Sequence, residues 1–112
     1  MNTTIKEVAQ KALECQETCN QCFSACLKED HVKMMAECIR LDRDCADICG
    51  LVASFSSRES RFTKELIQLC AEICQACGDE CQKHDHDHCR ECAKVCHECA
   101  EVCRAYVAQI ID

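Results

Sequence analysis

A chain of 112 residues with no proline and two glycines has room for one small folded unit, expected over residues 1–112, and little to punctuate a strand-rich fold. Its net charge of −7 argues against nucleic acid and anionic membrane surfaces as partners, since both need clustered Lys and Arg. Cysteine is the outlier at 16 residues against three Phe and one Tyr, so thiols must fill interior space that bulky side chains ordinarily occupy.

The first helix is expected from Thr4 to Lys28, with Thr4 and Glu7 at capping-box spacing. It carries Cys15, Cys19, Cys22 and Cys26. At about 100° per residue these side chains share an arc of about 60°. A second helix, capped by Asp30, is expected to reach Ser54, with Cys38, Cys45 and Cys49 on one stripe and Asp42 in the slot where another cysteine would complete the spacing. After the polar segment Ser56 to Ser60, a third helix from Arg61 to Lys83 repeats the first pattern with Cys70, Cys74, Cys77 and Cys81. The fourth, capped by Asp85 or Asp87, runs to Ile110 and carries Cys89, Cys92, Cys96, Cys99 and Cys103. Its stripe spans about 80°.

Four helices with short connections predict an all-α, antiparallel up-down-up-down bundle. Every cysteine then falls on an inward stripe, where Leu, Ile or Val would ordinarily form the seam. Packing alone would favour those larger groups, so the expected interior is a shaft of sulfur lined for another purpose. From Met1 to Cys15 there is no apolar run, which predicts neither a signal peptide nor a membrane anchor and points to the cytosol. Thiols stay reduced there, so the cysteines read as metal ligands in preference to disulfides.

Thiolates favour Cu(I), zinc or iron–sulfur clusters. The CxxC pairs here lie inside continuous helical stripes, unlike the loop-borne groups of zinc knuckles and clusters. One Cu(I) per bridging thiolate also leaves the shaft neutral, whereas divalent ions at that ratio would bury a large charge. The expectation is a non-catalytic protein binding multiple Cu(I) ions, with iron–sulfur or zinc binding as the alternative.

The connections from 26 to 38 and from 81 to 89 meet at one end, gathering His31, Met34, Met35, His84, His86 and His88. Projected backwards, His31 and Met34 share the arc of Cys38, and His84 continues the stripe of the third helix. His31, Met34, His84 and His88 are candidate entry ligands at a mouth. Asp42 is either a further ligand or the partner of a basic group such as Arg40 or Arg43 of a neighbour. His97 leaves its helix on the outer side and is expected to be exposed. Ile5, Val8, Val52, Leu66, Ile67, Val107 and Ile110 form an apolar plug at the opposite end.

The segments CIRLDRDCADIC, from Cys38, and CAEICQACGDECQKHDHDHCRECAKVCHEC, from Cys70, resemble the cytosolic copper storage proteins of bacteria, and the cysteine pattern extends over nearly the whole chain. The resemblance implies reversible Cu(I) storage by thiolates, a folded apoprotein with reduced cysteines, and a homotetramer of bundles. It also makes Asp42 part of the family pattern. Copper-donating and copper-accepting molecules are the expected partners, and Leu13, Phe23, Leu27, Ile39, Leu51, Leu69 and Val95 are candidate subunit contacts.

Overall fold

The computed structural model describes residues 2–110, which form helices α1 (Ile5–Cys26), α2 (Ala36–Ser57), α3 (Thr63–Cys81) and α4 (Asp87–Ile110). A 3-10 turn, Val32–Met35, leads into α2. α1 opens on the expected capping box: the Glu7 amide donates to Thr4 Oγ1 at 3.1 Å, and the Thr4 amide donates to the Glu7 carboxylate at 3.3 Å. Two otherwise orphaned amides are thereby satisfied.

The other boundaries differ from expectation. α1 and α3 stop at Cys26 and Cys81, short of Lys28 and Lys83, because the chain turns where the sulfur stripe ends. α2 begins after Met35 with no side-chain cap, so Asp30 does not start it. It runs to Ser57 and closes on Ser60, whose amide reaches the Phe55 carbonyl at 3.1 Å while Glu59 takes φ 54°. That is the backbone pattern of a Schellman stop, with glutamate where glycine is usual. α3 begins at Thr63 and not at Arg61. Asp87 is the first residue of α4, and with Asp85 it pairs with Arg90.

Each helix packs on two neighbours in the ring α1–α2–α3–α4. Cross-helix contacts run in opposite senses along each pair. Cys26 meets Cys38 and Cys15 meets Cys45 between α1 and α2; Cys38 meets Cys81 and Cys49 meets Cys70 between α2 and α3. Cys22 lies by His88 and Cys15 by Cys96 between α1 and α4, while Asp79 holds His97 and Gln75 holds Arg104 between α3 and α4. The result is the antiparallel bundle, elongated at 47 × 24 × 17 Å.

Small residues beside the stripes, among them Ala12, Ala46, Ala71, Ala93 and Ala100, are buried and let the helices close around the sulfurs. Val8, Val52 and Ile67 are fully buried at one end, with Ile5, Leu66 and Val107 packed against them. Burying each such large side chain stabilises the fold by about 1.5–3 kcal/mol. Ile110 is exposed and lies outside this plug, and Val95 is buried in the core, so neither has its expected place. Leu13, Leu27, Leu51 and Leu69 are exposed, whereas Phe23 and Ile39 are only half-buried.

His97 is not simply exposed. Its ring lies over Gly78, where an added Cβ would stand 2.5 Å from Cδ2, and Nε2 is 2.9 Å from Asp79 Oδ1. Glycine is required there by the approach of that ring, which ties α4 to α3. Among the described residues, no helix is long and apolar enough to cross a membrane.

Candidate metal-binding shaft

All sixteen cysteines are buried and unpaired by disulfides, fifteen at 0% exposure and Cys22 at 1%. The 4-3-4 stripes account for this directly, since each turns one helix face of thiols toward the bundle axis. The sulfurs form two runs of contacts joined through Asp42. Near one end Cys26 lies 3.9 Å from both Cys22 and Cys38, and Cys38 lies 3.4 Å from Cys81. Midway, Cys96 is 3.5 Å from Cys19 and 3.8 Å from Cys15 and Cys92. Further in, Cys74 is 3.5 Å from Cys45, 3.8 Å from Cys49 and 3.7 Å from Cys70.

Several quartets bring one ligand atom per residue to within 4.8 Å of one another: Cys22, Cys26, Cys38 and Cys89 toward the mouth, Cys15, Cys19, Cys45 and Cys96 at mid-shaft, and Cys15, Cys49, Cys74 and Cys99 beyond. Because Cys15 belongs to two quartets, a metal bound in one shares a sulfur with the next. Such sharing suits bridging thiolates.

Asp42 is fully buried in the same file. Oδ1 accepts from Cys77 at 3.3 Å, Cys92 at 3.4 Å and Cys81 at 3.5 Å, and Oδ2 lies 3.8 Å from Cys38. Among the described residues no basic side chain reaches Asp42, and this chain's Arg40 and Arg43 pair with Glu37 and Asp47 on the outer face of α2. Burial without a cation pushes the Asp42 carboxyl up to about 10, assisted by the neighbouring Cys92, Cys77 and Cys38. It is therefore a neutral acid at neutral pH. Burial likewise raises the thiols at the mouth end, Cys26 well above its usual value and Cys89 up to about 12. Within the file, thiol hydrogen bonds from Cys22 and Cys81 lower Cys38.

The mouth is assembled from the two connections. His88 Nδ1 lies 3.4 Å from Cys22 Sγ and 3.6 Å from Cys89 Sγ, while Nε2 lies 2.7 Å from Glu29 Oε2. With Nε2–H donating to the Glu29 carboxylate, Nδ1 turns its lone pair toward the sulfurs, the orientation a metal ligand needs. The same oxygen of Glu29 is 3.4 Å from His86 Nδ1, and the two imidazoles stack at 5.4 Å. His88 holds the Glu29 carboxyl below its usual range.

His31, Met34, Met35, His84 and His86 line an adjoining pocket with Glu29 and Lys83. His31 and Met34 do not share the arc of Cys38, because the 3-10 turn breaks the projection; Met34 is 74% exposed and Met35, at 3%, is the buried thioether. His84 lies past the end of α3 and pairs with Glu80 at 2.9 Å. Glu29 and Glu80, which orient these imidazoles, have no signal in helical periodicity. Glu29 stands in one connection and its histidines in the other, and only the acid–base match hints at the contact.

A helical bundle whose interior is a file of shared thiols, open toward imidazoles at one end and closed by aliphatic side chains at the other, is a polynuclear binder of soft metal ions. Residues 1–108 match the copper storage protein family, and the chain belongs to it.

The chain is 49% identical to the Cu(I)-bound copper storage protein BsCsp3, covering 91% of this chain and 96% of that one at a TM-score of 0.88. The apo form of Csp3 from Bacillus subtilis fits equally, with a TM-score of 0.88. A cytosolic copper storage protein from Streptomyces lividans, carrying five coppers, is 39% identical, with 93% of this chain and 92% of that chain covered and a TM-score of 0.90. An uncharacterized cysteine-rich protein, YhjQ, of Bacillus subtilis is 52% identical over 62 residues, 55% of this chain. That match spans 57% of the length of the curated relative.

Proposed function

We propose that this protein stores Cu(I) reversibly in the cytosol, on the thiolates of Cys15, Cys19, Cys22, Cys26, Cys38, Cys45, Cys49, Cys70, Cys74, Cys77, Cys81, Cys89, Cys92, Cys96, Cys99 and Cys103. The observation that carries this reading is the file of buried sulfurs, in contact at 3.4–4.0 Å on either side of Asp42, in which neighbouring quartets share members. Cu(I) accepts two or three sulfur ligands, and one monovalent ion per bridging thiolate replaces one proton, so a filled shaft is as neutral as an empty one. The role is binding and sequestration without catalysis.

Ions enter beside His88. Its Nδ1 takes Cu(I) first and hands it to Cys22 and Cys89, with Glu29 fixing the ring; His31, Met34 and His84 are outer contacts for a copper donor or acceptor. Asp42 stays protonated and lets the sulfurs around it close on copper without adding buried charge. The exposed Leu13, Leu27, Leu51 and Leu69 are the faces through which bundles assemble into a homotetramer.

The deciding experiment is an anaerobic titration of reduced protein with Cu(I) against a chromophoric chelator. Uptake on the order of one ion per thiolate is expected, with proton release that strengthens binding as pH rises. Saturation at one or two ions would sink storage. Visible absorption with bound iron and sulfide in freshly purified protein would favour a cluster protein instead.

A further inference from the structure

Asp42 interrupts an otherwise uniform file of sulfur, and it does so with a particular geometry. Its Oδ1 stands 3.3 Å from Cys77 Sγ, 3.4 Å from Cys92 Sγ and 3.5 Å from Cys81 Sγ. In a tetrahedral site with metal–sulfur bonds of about 2.3 Å and metal–oxygen bonds of about 2.0 Å, oxygen and sulfur ligands lie about 3.5 Å apart. The distances from Oδ1 to Cys81 and Cys92 already match two edges of such a tetrahedron. Cys22, Asp42, Cys81 and Cys92 bring their ligand atoms within 4.8 Å of one another. Each comes from a different helix, so the bundle itself fixes the four corners.

Ligand chemistry changes at the same place. A carboxylate oxygen is a hard donor that suits Cu(I) poorly, whereas three thiolates and one carboxylate are an accepted donor set for a borderline divalent ion. A buried carboxylate calls for a compensating cation beside it. No basic side chain contacts Asp42 among the described residues, so no cation of the protein's own takes that role. There is also a route in: Cys22, one of the four, touches His88 Nδ1 at 3.4 Å, which puts the quartet one layer beneath the mouth.

We propose that Cys22, Asp42, Cys81 and Cys92 form a single tetrahedral site for a divalent cation of the Zn2+ class, chemically distinct from the sulfur-only quartets on either side. The site does not depend on copper storage, because its ligand set is its own. A divalent ion held there divides the shaft into a mouth-side segment and a deep segment, and Cu(I) passing inward must go around or displace it.

Anaerobic titration of the reduced, copper-free protein with Co2+, as a coloured stand-in for Zn2+, tests this. The wild type should bind a single tight equivalent with the visible bands of tetrahedral cobalt and a thiolate-to-cobalt charge-transfer band, and Zn2+ should displace it. Asp42→Asn should weaken binding roughly a hundredfold, at least the upper end of what loss of a supporting second-shell group costs. Asp42→Cys should keep the site and move the visible bands to lower energy, since thiolate is the weaker-field ligand.

The proposal is overturned if wild type gives no tetrahedral spectrum, if Asp42→Asn binds cobalt as tightly as wild type, or if Asp42→Cys gives an unshifted spectrum. Should Asp42→Asn lose its helical circular dichroism, the Asp42→Cys spectrum decides alone. A normal Cu(I) capacity with no cobalt site would remove this inference and leave storage standing.

Discussion

At one end of the bundle Glu29 pairs with His86 and His88, and His88 lies against Cys22 and Cys89, whereas at the other Val8, Val52 and Ile67 close the interior with nothing titratable among them. The first end offers nitrogen and sulfur donors and can exchange ions and protons with solvent. The second contributes burial and nothing else. A thiol interior is a weak core, since cysteine buries less apolar area than leucine, so the plug must supply cohesion that the metal-binding length forgoes. On the proposed entry beside His88, stability and uptake reside at opposite ends of the same four helices.

The largest effect that separates them is on pH. The Asp42 carboxyl is raised from the usual range to about 10 in the folded protein, so the folded state holds a proton that the unfolded chain releases near pH 4. Its contribution is complete below about pH 4 and is lost as pH rises toward 10, at up to about 1.4 kcal/mol per pH unit. Melting of the reduced apoprotein should thus occur at lower temperature as pH increases. Asp42→Asn should flatten that slope, and an unchanged slope would remove Asp42 as its source. Above pH 9 the raised thiols, Cys89 among them, add to the loss as pH climbs through about 12.

Next in size, Ile67→Ala should cost about 2–5 kcal/mol in denaturant unfolding of the apoprotein, through the cavity left in the plug. Cu(I) uptake by the variant, once folded, should keep its wild-type rate. Faster loading would show that the plug is also a port. The smallest effect belongs to the mouth: His88→Ala should slow uptake in stopped flow about tenfold, equivalent to about 1.4 kcal/mol, with the final number of ions unchanged. An unaltered rate would move the entrance elsewhere.

The interior was legible in the amino-acid order because helical periodicity is a strong signal when sixteen identical residues obey it, and the Thr4–Glu7 box marked the start of α1 correctly. The mouth was less legible, for a geometric reason. The 3-10 turn Val32–Met35 has about three residues per turn, so continuing the 3.6-residue spacing of α2 backwards misplaces His31 and Met34 and overlooks Met35. His84 was projected along a helix that had already ended at Cys81. For Asp42 the sequence left two readings, a metal ligand or the partner of a basic group. Which neighbours surround a buried carboxylate depends on how four helices come together, and here all of them present thiols.

A tube sealed by aliphatic side chains at one end imposes an order on its contents. On the proposed entry beside His88, ions advance only by pushing earlier arrivals deeper and depart only in reverse. The protein then behaves as a last-in, first-out stack: isotopically labelled copper added at the end of loading should be the first recovered by a chelator, and the oldest ions should sit longest beside Cys70 and Cys103.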